Sequence, residues 1–315
     1  MHSTWFLFLI TFILVNIKLI NTSILRCSQN VKPKLIKYYF VAPCTRSVMK
    51  LIATRYYNTL SACKKFAHRK RGFAINFIHK ELLHPAAKNF SGQTCLVYDC
   101  PEFDVQTSWE TNTVYDYYSA FARPMPNTNV SCIPKLGVFQ LHKARNNFTN
   151  AELICNDEGG LLADITTRYH TEQLASLIAT ERIKEAFVGL SRLEYPGEFL
   201  NSLGYPLNCL NYRAWAPGEP KPKENAKCVT LTSKMQWKIT SCSRELPFLC
   251  ELSPNGPYRP CQKFYTLKRK QRCLEILKAS LPRTNRFPKC GDPDYFEMVD
   301  KRRSNRKRNR NRQHY

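Results

Sequence analysis

The feature that most constrains this chain is its set of fourteen cysteines. The number is even, and no two cysteines have the C-x-x-C spacing that is typical of zinc sites. Disulfides persist in oxidising compartments, so the pattern indicates an extracellular fold held by covalent cross-links. A chain of 315 residues, 43% of them apolar, is long enough for two modest domains with hydrophobic cores.

The N-terminus points to the same compartment. An apolar run from Trp5 to Val15 is followed by Asn16 and Lys18, which fits a signal peptide over residues 1–23. The run is shorter than the roughly twenty apolar residues of a spanning helix. We therefore expect a secreted protein without a membrane anchor, and a type II membrane receptor is the alternative. Three sequons predict N-glycosylation, at Asn89, Asn129 and Asn147.

The net charge of +24 is unevenly distributed. Residues 24–131 carry 15 basic and 6 acidic side chains, residues 132–250 carry 14 and 12, and residues 251–315 carry 18 and 6. Basic flanks on an extracellular protein predict binding to glycosaminoglycans or other polyanions, whereas the secretory route argues against nucleic acid. The residues predicted to bind polyanions are Lys268, Arg269, Lys270, Arg272, Arg302, Arg303, Arg306, Lys307 and Arg308.

The segment 24–103 is predicted to be a Cys-rich module. Ser61 precedes a short helical pattern that ends at Gly72, and a strand is predicted from Phe73 to Ile78. The helix cysteine followed by G-F-A-I-N-F weakly resembles a PAN or apple-like module. The polar, Pro-containing segment 104–131 is interpreted as a linker.

The pattern after Cys132 is more regular. Thr149 and Glu152 predict a capping box at the start of a helix that stops at Gly159-Gly160, and a second helix is predicted after Thr171. A buried strand is predicted at 186–190. Paired strands between cysteines are predicted from K-C-V-T-L-T through Trp237 to P-F-L-C-E.

These motifs, with W-A-P-G-E-P at 215–220, resemble the C-type lectin-like domain in order and spacing. The resemblance implies an α+β fold at 132–252 with two helices, small antiparallel sheets and a long irregular loop. It also implies the disulfides Cys155–Cys250 and Cys228–Cys242. Parity suggests that Cys209 pairs with a tail cysteine and that the six N-terminal cysteines pair among themselves. A Cys-containing basic extension at 253–299 and a disordered basic tail at 300–315 complete the predicted organisation.

Sugar-binding members of that family hold calcium on the long loop, and the resemblance locates the corresponding positions here. Calcium takes six to eight oxygen ligands. Glu219 is retained, but Lys221 replaces an amide or carboxylate, Glu224 is displaced from the position before Cys228 that Ala226 occupies, and Lys238 and Ile239 follow Trp237. We interpret this as a degenerate calcium site, with no metal or other cofactor. Glu219 is expected to form a salt bridge with Lys221 or Lys238, or to accept loop backbone hydrogens.

No catalytic pattern is present: the sequence lacks H-E-x-x-H, G-x-S-x-G and a phosphate-binding glycine loop. We expect a non-enzymatic, secreted lectin-like adhesion protein of extracellular matrix or cuticle, binding extracellular proteins, polyanions or glycans. One alternative is a carbohydrate-binding lectin in innate immune recognition.

Overall fold

The computed structural model describes residues 36–79, 92–103, 109–111, 114–121, 130–193, 197–221 and 225–254. They belong to two compact units. The N-terminal unit contains the described residues of 35–163 and of 247 onward, and the central unit is 164–246. The predicted signal peptide and basic tail lie outside the described residues, as does all of the predicted Cys-containing extension except Ser253 and Pro254. Within the part that the structure describes, no helix combines the length and apolar content needed to cross a bilayer.

The first half of the N-terminal unit is an antiparallel sheet covered by one helix. Five strands run in the order β1-β7-β4-β5-β3, and β2 pairs with β6. The helix α1 packs on this sheet through Cys63, Phe66 and Ala67, and the disulfide Cys63–Cys95 fixes it to β5. The elements are β1 Tyr39–Ala42, β2 Thr45–Ser47, β3 Leu51–Arg55, α1 Leu60–Lys70, β4 Ala74–Phe77, β5 Cys95–Tyr98, β6 Trp109–Thr111 and β7 Asp116–Ser119.

The helix–strand pair predicted in this module is present, with shifted bounds. Thr59 caps α1 by accepting a hydrogen bond from the Ala62 amide, and Arg71 ends it in the left-handed conformation, at φ 55°. Gly72 follows because the sheet leaves no room for a side chain: a Cβ there would collide with Val97 and lie 2.8 Å from the Tyr98 carbonyl oxygen. The strand is confirmed as β4. The PAN resemblance stays a prediction.

The structure differs from the predicted linker at 104–131. Strand β7 lies inside the sheet, between β1 and β4, and all four of its residues are buried. The disulfide Cys100–Cys132 joins the two ends of this segment. A tract that is polar by composition therefore forms part of a folded core, because Asp116 and Ser119 are buried there with hydrogen-bonding partners, including the Cys44 and Phe121 amides.

The second half of the N-terminal unit is built from β8 Val130–Ile133, β9 Gly137–Asn146, α2 Phe148–Asp157, β10 Gly160–Leu162 and β15 Leu246–Leu252. Strand β9 lies between β8 and β15, and β10 pairs with β15. The disulfide Cys155–Cys250 ties α2 to β15. The predicted capping box is wrong, because the N-cap is Asn147, whose side chain accepts from the Asn150 amide.

The central unit has one helix and an antiparallel sheet in the order β14-β13-β11, with β12 beside β11. Helix α3 begins before the predicted Thr171, because Thr167 is its N-cap, and it buries Leu174 and Ile178. The strands predicted at 186–190 and on either side of Trp237 are confirmed. The elements are α3 Arg168–Thr180, β11 Glu185–Ser191, β12 Leu200–Asn201, β13 Ala226–Thr232 and β14 Trp237–Ser241.

The disulfides of the lectin-like region are those that the resemblance implied. Cys155 pairs with Cys250, and Cys228 with Cys242. By chain-entropy estimates, the Cys155–Cys250 disulfide stabilises the fold by roughly 4 to 5 kcal/mol, and Cys228–Cys242, which closes a much shorter loop, stabilises it by about 3 kcal/mol. Cys44 and Cys209 are also disulfide-bonded. The predicted pairing of Cys209 with a tail cysteine involves residues outside the described ones.

Candidate functional site

The long loop of the central unit, residues 197–221, is organised around the buried Asn201. The Asn201 side-chain oxygen accepts from the Leu203 amide at 3.1 Å and the Tyr205 amide at 2.9 Å. The backbone amide of Asn201 donates to the Tyr205 carbonyl at 3.0 Å. Irregular backbone has no ladder to satisfy its polar groups, so a buried amide side chain supplies partners instead.

Arg213 supplies further hydrogen bonds to the same loop. One of its terminal nitrogens donates to the Leu210 and Tyr212 carbonyls, both at 2.7 Å, and the other donates to the Leu207 carbonyl at 2.6 Å. Burial lowers the pKa of Arg213 from its ordinary value. The guanidinium nevertheless keeps its proton at neutral pH, because the ordinary pKa of an arginine side chain is far above 7. A fixed positive charge therefore lies inside the loop, bonded to three of its carbonyls.

An aromatic cluster fixes this loop to the sheet. Trp237 is fully buried, and its indole nitrogen donates to the Thr171 hydroxyl at 3.1 Å. Trp215 lies edge-on to Trp237 at 5.4 Å between ring centroids; Phe199 also packs against Trp215, and Tyr212 packs against Trp237. Backbone hydrogen bonds from Trp237 to Ala214, at 2.7 Å, and from Ala216 to Trp237, at 2.9 Å, complete the attachment.

Glu219, the retained acidic residue, interacts with its own loop. Its Oε2 accepts from the Lys221 backbone amide at 3.0 Å, which is one of the interactions expected for it. The Lys221 side chain lies close to Gly218, where a Cβ would be 3.4 Å from the lysine Cε. Gly218 has φ 77°, which favours glycine. The peptide bond between Glu219 and Pro220 is cis. Glu224 lies outside the described residues.

The Arg192 guanidinium lies beside Ala226, the position where the family resemblance expects a calcium-binding glutamate. Arg192 donates to the carbonyl oxygen of Ala226 through Nη2 at 2.9 Å and Nε at 3.3 Å. Its backbone amide donates to the Lys227 carbonyl at 2.8 Å, and its Cζ lies 5.4 Å from the Phe199 ring centroid. Sequence reasoning missed Arg192 and Arg213. A lone arginine near a strand end or inside a loop gives no periodic signal of its carbonyl partners.

The residues after Trp237 supply no side-chain oxygen. Lys238 is exposed on β14 opposite Thr230, and Ile239 is 5% exposed opposite Val229. Hard divalent cations require several oxygens, commonly including carboxylates. The described residues at these positions offer Glu219 with two lysines, an alanine and an isoleucine, so they do not fit calcium.

A second group of potential ligands lies in the N-terminal unit and also does not fit a metal. His142, Glu158 and Cys250 offer ligand atoms within 4.8 Å of one another. Cys250 is in a disulfide with Cys155 and cannot act as a thiolate. His142 Nε2 contacts Glu158 Oε2 at 2.8 Å, and the imidazole stacks on Phe248. This pair is satisfied without an ion.

Most other sequence-predicted sites lie outside the described residues. These are the sequons Asn89 and Asn129 and the predicted polyanion-binding residues from Lys268 to Arg308. Asn147 is described and is half-buried. Its Oδ1 caps α2, so the amide nitrogen that would carry a glycan is not the atom used for capping. Its glycosylation stays a prediction.

Comparison with known proteins gives one family match. Residues 144–252 match the model of the lectin C-type domain. Collectin-10 of Gallus gallus is 31% identical over 114 residues, covering 36% of this chain and 40% of that protein. The secretory phospholipase A2 receptor of Bos taurus is 28% identical over 141 residues, covering 44% of this chain and 9% of the receptor.

The chain thus spans less than half the length of either relative. Among solved structures, human lithostathine is 22% identical, with a TM-score of 0.36, and the match covers 40% of this chain and 98% of that one. The family match, the two disulfides and the arrangement of helices and antiparallel strands agree with one another. Residues 144–252 of this chain match the lectin C-type domain, and the chain has a C-type lectin-like fold.

Proposed function

We propose that this chain is a non-enzymatic, secreted adhesion protein of extracellular matrix or cuticle, whose lectin-like domain recognises its ligand without calcium. Its basic flanks would bind glycosaminoglycans or other polyanions. One observation carries the calcium-independent part: Arg192 donates two hydrogen bonds to the Ala226 carbonyl, where the family resemblance expects a calcium-binding glutamate.

Electrostatics supports this proposal. A divalent ion about 4 Å from a unit positive charge is opposed by roughly 8 kcal/mol at an effective dielectric near 20. Arg192 has limited freedom to move away because its guanidinium holds the Ala226 carbonyl and its backbone holds Lys227. The loop also has internal order without an ion, since Asn201 and Arg213 satisfy its amides and carbonyls.

The test is isothermal titration calorimetry, in which calcium chloride is added to the purified mature protein. A calcium-dependent lectin is the positive control. We expect heats that match dilution alone up to millimolar calcium. A glycan array run with and without chelator extends the test to the ligand. Stoichiometric calcium uptake, or glycan binding that the chelator abolishes, would contradict the calcium-independent part.

Carbohydrate recognition in innate immunity is the second candidate. It is favoured by the match to a domain that is named for lectin activity and by the similarity to collectin-10. Chelator-resistant binding to defined glycans on the array would favour this candidate over adhesion through protein partners. A mature protein that begins before Trp5 would instead favour a type II receptor.

A further inference from the structure

We infer that the N-terminal unit carries a folded binding site for a linear sulfated polysaccharide, on the outer face of α1 and the adjoining end of β3. The inference deepens the proposed polyanion binding, on which it rests, by placing a site in a structured module rather than in the terminal flanks. The site, here called the basic face, consists of Arg55, Lys65, Arg69, Lys70 and Arg71.

The charge of the surrounding segment is one-sided. Residues 36–79 contain nine lysines and arginines and no aspartate or glutamate. Elsewhere in the first half of this unit the described acidic residues are Asp99, Glu102, Glu110 and Asp116, of which all but Glu110 are buried. The exposed charge of this half is therefore almost entirely positive in the part that the structure describes.

The basic face is exposed and its charges are not neutralised by described partners. All five residues are exposed, and none forms an ion pair or side-chain hydrogen bond with another described residue. The polar contacts that occupy Arg192 and Arg213 in the central unit thus have no counterpart here. Charges left in water are the ones that a polyanion can reach without first breaking contacts within the protein.

An aromatic pair positions two of the five cations. Tyr57 and Phe66 lie 5.6 Å apart between ring centroids. Arg55 Cζ lies 5.9 Å from the Tyr57 ring centroid, and Lys70 Nζ lies 5.7 Å from that of Phe66. Tyr57 is itself fixed by Thr94, which exchanges hydrogen bonds of 2.7 and 2.6 Å with its backbone. Cation–π contacts thereby bring the end of β3 and the end of α1 into one surface.

Helix stability explains only part of this arrangement. Cations in the last turn of a helix interact favourably with its dipole, which accounts for Arg69 and Lys70. Lys65 lies outside that turn, and it is four residues before Arg69, a spacing at which like charges repel and weaken a helix. Arg55 is on a strand. The helix therefore bears a repulsion that its own folding does not require.

The shape of the basic face selects the class of ligand. The cations extend from Lys65 to Arg71, about 9 Å along the helix at 1.5 Å per residue, and continue to Arg55 on a neighbouring element. A chain with repeated charges can engage such a row, whereas one phosphate or carboxylate would meet a single cation or two. For a secreted protein the extracellular ligand of this chemistry is a sulfated polysaccharide.

The experiment uses the full mature chain and the double variant Lys65→Gln/Arg69→Gln. Glutamine keeps a high helix propensity and removes two charges from the outer stripe of α1. The matched control is Lys184→Gln/Lys234→Gln, which removes two exposed charges from the central unit. A third variant neutralises the tail through substitution of Arg302, Arg303, Arg306, Lys307 and Arg308 by Gln. Affinity for heparin is measured by calorimetry at several salt concentrations, with desulfated heparin as the comparison.

We expect the Lys65/Arg69 variant to bind heparin about tenfold more weakly at low salt and to show a shallower salt dependence. The matched control should change the affinity by less than twofold, and desulfated heparin should bind weakly to every variant. The double variant should have the circular dichroism spectrum and melting temperature of the parent, which shows that its weaker binding does not come from misfolding.

Four results would overturn the inference. Equal losses in the double variant and the matched control would mean that net charge alone drives binding. A loss confined to the tail variant would assign heparin to the flank and leave the proposed polyanion binding standing. Binding of anionic lipid vesicles through Lys65 and Arg69, without binding of heparin, would assign the basic face to a membrane. Absence of heparin binding in the parent would contradict the polyanion part of the proposed function as well.

Discussion

The long loop with the neighbouring Arg192 and the basic face both carry positive charge, and these charges differ in what they contact. Arg192 and Arg213 donate to backbone carbonyls inside the central unit. Lys65 and Arg69 lie on the outer side of α1, without a polar partner among the described residues. The comparison teaches that a count of cations cannot assign a role. A bonded guanidinium is part of the fold, whereas an exposed ammonium or guanidinium remains available to a partner.

The largest effect is expected for Arg213→Met. This change removes three charge-assisted hydrogen bonds and leaves the Leu207, Leu210 and Tyr212 carbonyls to find other partners. We expect the free energy of unfolding to fall by about 3 kcal/mol, measured by chemical denaturation. Arg213→Lys keeps the charge but loses the planar fork, so it should recover less than half of the loss. A change below about 0.5 kcal/mol would place Arg213 among the exposed charges.

A smaller effect is expected for Arg192→Met. The change removes the bonds to the Ala226 carbonyl and the cation–π contact with Phe199, but it keeps the aliphatic packing of the side chain. We expect a loss of about 1.5 kcal/mol in the free energy of unfolding. The same variant removes a positive charge beside Ala226, one of the positions that the family resemblance assigns to calcium binding. Calcium titration should still give no stoichiometric binding, because Lys221, Ala226, Lys238 and Ile239 supply no carboxylate; binding by this variant would show that Arg192 alone excludes the ion.

His170 tests how the central unit responds to a positive charge on a partly buried side chain. Burial lowers the pKa of His170 from its ordinary value of 6.5, opposed by the nearby Asp164 carboxylate. Its Nδ1 lies 2.7 Å from the Thr167 hydroxyl. Because the unfolded chain takes up the proton first, stability should be complete above pH 6.5 and should decline as the pH falls below it. His170→Gln should give a flatter melting-temperature profile between pH 7.5 and 5.5; identical profiles would contradict the assignment.

The smallest effect on stability is expected for Lys65→Gln/Arg69→Gln. Removal of exposed charges without partners should change the free energy of unfolding by less than about 0.5 kcal/mol. Relief of the repulsion between the two residues makes a slight gain the expected sign. Chemical denaturation of this variant beside Arg213→Met gives the sharpest form of the comparison. A loss above about 1 kcal/mol would show that the basic face is also structural.

Much of the scaffold follows from the sequence, because its signals are local and periodic. Buried strands such as 186–190, the glycine stop after α2 and the cysteines around Trp237 each carry a short-range pattern. The start of α2 was predicted two residues late because Asn147 and Thr149 are both good N-caps. The choice between them depends on the packing of the helix rather than on the local sequence.

Prediction from amino-acid composition was wrong in the segment where polar residues are buried. Strand β7 contains Asp116 and Ser119, and the polar, Pro-containing composition of the segment around it suggested a linker. Its buried position becomes understandable only when the neighbouring strands bring the Cys44 amide and the Asn76 side chain to it. The contacts of Arg192 and Arg213 could not be predicted for the same reason, since their carbonyl partners belong to irregular backbone that periodicity does not describe.

The disulfide between Cys63 and Cys95 has a mechanical consequence. When a chain is pulled from its two ends, tension passes through a cross-link rather than through the residues enclosed by it. Every α1 cation of the basic face lies between these two cysteines in the sequence. A pull on the two chain ends therefore bypasses the α1 cations, whereas Arg55 lies before Cys63 and stays on the stretched path.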